Sequence, residues 1–207
     1  MTASSPLPWD LRYDAAQFVA IPKTTDAEAA EAWIAECLDR YGVQVDQSPA
    51  GAQQISDTAR MLLGNARPGA AQLWFAPPGI YSDVLVNIAV ESSAGRPSSE
   101  ELFAEVEYST AVDVTPLRTE THGVGYVVRW GVLVGAEAEA EAEADAHAGA
   151  DAAQGGILVE HWTVLLNDGT WTILMDVLGT TLPVFLLFEQ QLPQLILGIT
   201  VPKPVTV

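Results

Sequence analysis

The sequence predicts an α+β fold of about six mostly antiparallel strands, with helices packed on one or both faces. Alternating apolar runs follow one another through short turns such as "PPG", "THG" and "NDG", and strands joined that closely pair antiparallel. Other segments repeat their apolar residues at helical spacing. Strands and helices do not alternate one for one, as a doubly wound parallel sheet would require. A chain of 207 residues with 49% hydrophobic content has enough apolar sequence for one real core, so residues 1–207 are expected to form a single domain.

Residues 1–15 are read as a flexible N-terminal arm, and "AQFVAIP" as a short strand. In "TTDAEAAEAWIAECLDRYG" Thr25 precedes Glu28 by three residues, the spacing of a capping box. Trp33, Ile34, Cys37, Leu38 and Tyr41 then line one helical side, up to a stop at Gly42. A second helix is predicted after Ser48, opened by Pro49 and carrying Ile55, Ala59, Leu62 and Leu63 on one side.

"AQLWFAPPG" and "YSDVLVNIAVES" read as a strand pair, with Val84, Val86, Ile88 and Val90 at period two. Ser98 and Glu101 form another capping box, ahead of a short helix with Leu102, Phe103 and Val106. "AVDVTPLRTE" and "VGYVVRWGVLVG" flank "THG", where Gly123 supplies the positive φ of a turn. Pro116 cannot donate to a ladder, so its strand belongs at an edge or carries a bulge. "ILVEHWTVLL" and "TWTILMDVL" flank "NDG", the strongest hairpin signal, and a last helix begins near Thr181 and Pro183. This element order resembles, at the level of architecture, the α/β/α sandwiches of the Mog1 and PsbP type. Such a likeness implies no function.

Nine Lys and Arg against 27 Asp and Glu give a formal charge of −18. That field repels phosphate backbones and anionic headgroups, which argues against nucleic acid and membrane surfaces as partners. The apolar stretch from Leu182 to Val201 is interrupted by Glu189 and two prolines and reads as core sequence, not as a membrane span. Met1–Phe18 has neither a basic start nor an apolar run, and so lacks the pattern of a secretory signal. A single cysteine, Cys37, fits a reducing compartment. The expected location is cytoplasmic.

"GAEAEAEAEADAHAGADAAQGG", residues 135–156, carries six carboxylates and no Lys or Arg. Glu137 with Glu141, and Glu139 with Glu143, are like-charge pairs that oppose a helix, while Ala and Glu are both depleted in strands. The tract is read as a disordered insertion between two strands. Its carboxylates lack the glycine turn of a calcium loop. A basic partner would feel the tract through long-range attraction.

The candidate ligand-binding residues are Arg129, His161 and Asp176. A turn centred on Asp168 and Gly169 places His161 directly opposite Asp176 on the face away from Trp162, Val164 and Leu166, and Arg129 is expected to share the face of His161 and Asp176. A carboxylate beside an imidazole favours its charged form, as in a ligand pocket or an acid–base pair. His122 and His147 fall in unlike contexts, so no metal site is predicted. No phosphate loop or dinucleotide fingerprint is present, and no cofactor and no catalytic residue are expected. Cys37 lies among apolar residues, as a structural thiol does. Trp9 and Trp74 sit near Pro-rich loops.

The function expected from this pattern is a non-catalytic interaction or assembly domain whose partner is another protein. A small-molecule site or enzyme around His161, Asp176 and Arg129 is the second reading. An acidic chaperone or inhibitor of a basic partner is the third.

Overall fold

The alternating runs become seven strands of one antiparallel sheet. The computed structural model describes residues 9–42, 48–65, 67, 69–92, 112–134 and 156–201. The helix expected after Ser98, the acidic tract from 135 to 155 and residues 1–8 of the expected arm lie outside them. Two antiparallel sets build the sheet: β2 (Phe18–Ala20), β3 (Ala71–Phe75) and β4 (Leu85–Ser92) form one. β5 (Val112–Arg118), β6 (Val124–Val134), β7 (Ile157–Asn167) and β8 (Trp171–Gly179) form the other. They join where β4 pairs with β8, in the order β2-β3-β4-β8-β7-β6-β5. The expected six strands become seven, and a separate two-stranded sheet pairs β1 (Asp10–Leu11) with β9 (Ile199–Thr200).

Helices cover both faces, and strand parity decides which residues each receives. Leu73 lies opposite Val86, and Val86 opposite Val177, on the face closed by α3 (Leu182–Leu197). Val184, Phe185, Phe188, Leu192 and Leu195 of α3 are buried there with Ile88, Val164, Leu166, Ile173 and Met175. Trp74 and its partner Leu85 face the other way, into a second core with Trp33, Ile34 and Cys37 of α1 (Ala27–Gly42) and Ile55, Ala59 and Leu62 of α2 (Pro49–Gly64). Two clusters separated by a sheet make a three-layer arrangement. No described helix is long and apolar enough to cross a membrane.

The helix starts follow local chemistry. Ser48 Oγ accepts from the Gly51 amide at 3.1 Å and Pro49 opens α2, where a missing N–H removes one orphan donor. At α1 the capping residue is Asp26, not Thr25. Its carbonyl accepts the first helical bond from Ala30, and its carboxylate accepts from Glu28 N–H at 2.9 Å. Thr181 precedes α3 without a side-chain cap of its own. Asp83, just before β4, supplies one by accepting from the amides of Thr180 and Thr181 and from the Thr180 hydroxyl.

The arm expectation is corrected over its described part. Trp9 is buried in the core under α3, Asp10 pairs with Thr200, and the Arg12 amide donates to the Gly198 carbonyl. Burial of a whole indole anchors this segment against the entropy of a loose terminus. Pro116 sits in β5, the edge strand, as its missing donor requires.

Candidate functional site

A row of polar side chains crosses four strands of the face covered by α1 and α2. Gln72 on β3 lies opposite Asn87 on β4, Asn87 opposite Asp176 on β8, and Asp176 opposite Thr163 on β7. Gln72 Nε2 donates to Asn87 Oδ1 at 2.7 Å and to the Asn65 carbonyl at 2.9 Å. Its Oε1 accepts from the Arg67 amide, so one buried glutamine fixes the loop between α2 and β3. That loop swings Arg67 over the sheet, where Nη1 donates to Asp176 Oδ2 at 3.0 Å. Thr163 Oγ1 donates to Asp176 Oδ1 at 3.4 Å, and His161 Nε2 stands 3.8 Å from the same oxygen. The His161 ring packs on Trp130, centroids 4.1 Å apart.

His161 and Asp176 therefore share a site, but the expected register is corrected by two residues. His161 faces Leu178 and Asp176 faces Thr163. The turn centres on Gly169 and Thr170, with Gly169 at φ 92°. Asn167 Oδ1 accepts from the Gly169 amide, and Asp168 Oδ1 from the amides of Thr170 and Trp171. Asp168 thus flanks the turn as an acceptor, and glycine takes the first central position. A slip of two preserves the face of every side chain.

Arg129 does not join them. It lies opposite Trp162, on the α3 side of the sheet, whereas its neighbour Trp130 lies opposite His161. Its guanidinium is 4.5 Å from the Trp162 ring centroid and pairs with Glu189 of α3 and Asp113 of β5. This cluster ties β5, β6 and α3 together and presents no cation to Asp176.

Sequence reasoning missed Arg67, Gln72 and Asn87. The signal was present: both amides interrupt apolar runs, "AQLWF" and "VLVNIAV", at positions whose partners across the ladder are also polar. Asn87 is 4% exposed and its Nδ2 has no hydrogen-bond partner, an arrangement that costs stability. Trp9 and Trp74 are both buried, and Trp74 Nε1 donates to the Ser82 carbonyl at 2.9 Å; neither presents a contact surface. Cys37 is buried, and burial pushes its thiol up to about 12, with Glu36 adding to the rise and Arg40 opposing it. It is no nucleophile at neutral pH. Among the described residues no three His, Cys, Asp or Glu side chains converge as metal ligands would. An open hollow of about 390 Å³ lies elsewhere, between Arg12, Tyr13, Asp14 and the α3 residues Gln191 and Gln194.

No protein-family model, curated protein or solved structure matches this chain.

Proposed function

We propose that the protein is a non-catalytic, cytoplasmic interaction domain that engages a partner protein through the free end of the β6–β7 ribbon. One observation carries this reading. Leu133, Val134 and Ile157 are 45%, 53% and 61% exposed, and Val134 and Ile157 lie directly opposite each other at the ribbon's end. β8 pairs with β7 only as far as Glu160, so these apolar side chains stand beyond it. Apolar side chains clustered at a projecting tip suit a protein contact better than solvent. The acidic tract continues from the tip in sequence, and a charge of −18 favours a partner with a basic surface, attracted at long range and seated by the apolar contacts. The same charge supports the third reading, an acidic chaperone or inhibitor, as a special case.

A second reading keeps a small-molecule site at His161 and Asp176 without Arg129. It is favoured by the unpartnered amide nitrogen of Asn87, which stands next to Asp176 in the row.

The test is affinity capture with the wild type, with Leu133→Ser combined with Ile157→Ser, and with residues 136–153 deleted. The reading requires a protein held by the wild type and lost with the tip variant, while circular dichroism shows both folded. A captured set unchanged by the tip variant overturns it. A metabolite released from the wild type and absent from Asp176→Ala would put the second reading in its place.

A further inference from the structure

We infer that His122 is an acid-sensitive latch holding the end of α3 and β9 against the turns that join β5 to β6 and β7 to β8. His122 lies in the first of these turns and is 5% exposed, with neither ring nitrogen hydrogen-bonded. Its amide donates to Thr119 Oγ1, and Thr119 N–H donates to the Gly123 carbonyl, so the turn clamps the ring inward. The ring approaches the backbone carbonyls of Ile196 in α3 and Ile199 in β9 without reaching hydrogen-bond geometry. One imidazole thus sits between its own turn and the C-terminal segment that α3, β9 and β1 share, within electrostatic reach of Asp168 on the β7–β8 turn.

Protonation changes what this place must hold. A neutral ring is tolerated there as a flat, mostly apolar body, whereas an imidazolium carries two donors and a charge into a site nearly closed to water. The titratable or charged groups on the surrounding elements are Asp168 on the β7–β8 turn, Glu120 in His122's own turn, Arg118 at the end of β5, and Asp10 and Arg12 beside β9; α3 beyond Glu189 and β9 carry none. None of them forms an ion pair with His122 among the described residues. Burial lowers the His122 pKa from its ordinary 6.5, and the two carbonyls and Asp168 offset only part of that. The unfolded chain therefore takes up the proton first. The stability due to the neutral ring is complete above the ordinary value and is lost as pH falls through the lowered one.

The experiment is urea unfolding with amide hydrogen exchange, corrected for intrinsic rates, on the wild type and His122→Asn at about pH 7.5 and about pH 5.5. The expected result is a folded-to-unfolded ratio that falls, in the wild type, by up to about tenfold more than in the variant. Protection should drop first across residues 183–201. Equal pH dependence in the two proteins overturns the latch. Should the variant fail to fold, titration of the His122 ring in the wild type by NMR decides, and a midpoint at or above the ordinary value overturns it.

Discussion

His161 and Asp176 meet on a diagonal of the β7–β8 ladder. Thr163, and not His161, stands directly opposite Asp176, yet His161 Nε2 reaches within 3.8 Å of the carboxylate from two residues away. Diagonal neighbours on one face lie within reach of long side chains. Asp176 consequently has three claimants, Arg67, Thr163 and His161. It is the hub of the polar row and, with Gln72, links the sheet to the loop above it.

The Arg67–Asp176 pair should couple weakly. The arginine side chain is 58% exposed and the carboxylate 17%, so solvent screens most of the attraction. A double-mutant cycle with Arg67→Ala and Asp176→Asn should give about 0.2–1 kcal/mol. Asp176→Ala alone should cost more, about 1–2 kcal/mol, since it also strands Thr163. A coupling well above that range in urea unfolding would mean the pair is drier than its exposure indicates.

How far this architecture could be read from the sequence depended on local signals. Pro116 marked an edge strand through its missing N–H, and Gly123 marked a turn through its φ of 76°. The face of Asp176 was legible because alternation fixes parity; its partner was not, because register depends on whether Asp168 or Thr170 stands inside the turn. Arg129 was misplaced for a related reason. Twenty-two residues separate its strand from the next, and no tight turn carries register across that interval. Arg67 lies in a loop with no periodicity at all. The buried contacts of Gln72 hold its backbone near the sheet, where its side chain reaches Asp176.

Arg129 should behave as a structural residue. Arg129→Ala removes the contact with Trp162 and both carboxylate pairs, and should cost about 1–2 kcal/mol in urea unfolding. Arg129→Lys keeps the charge but cannot lie flat on the indole while reaching Glu189 and Asp113, so it should recover less than half of that loss. Full recovery by lysine would show that charge alone matters there.

Cys37 should be silent toward thiol reagents in the native state. A buried thiol held near 12 is almost wholly protonated at neutral pH, and the thiolate is the reacting species. Labelling with a disulfide reagent should be slow without denaturant, and complete and fast in urea. Rapid labelling of the folded protein would place the thiol in a looser environment than the α1–α2 core.

Asp83 gives the clearest acid signature below the range of histidine. Burial by itself would raise its pKa, but the hydrogen bonds it accepts from Thr180 and Thr181 outweigh it, and the carboxyl sits below its ordinary 3.8. A lowered carboxylate stabilises the fold fully above its unfolded value, and that stability is lost as pH falls through the folded value. Asp83→Asn keeps the shape but replaces one carboxylate oxygen with an NH2 donor, so either Thr180 or Thr181 at the start of α3 faces a donor and the anion is lost. The variant should lose about 1–2 kcal/mol near neutral pH, the range for removal of a helix cap. Its urea midpoint should then approach that of the wild type as pH falls below the ordinary carboxylate value and meet it below the lowered one, where the wild type has lost the same anion. A difference that persists undiminished in acid would mean that packing around residue 83, and not its charge, holds α3 to the strand.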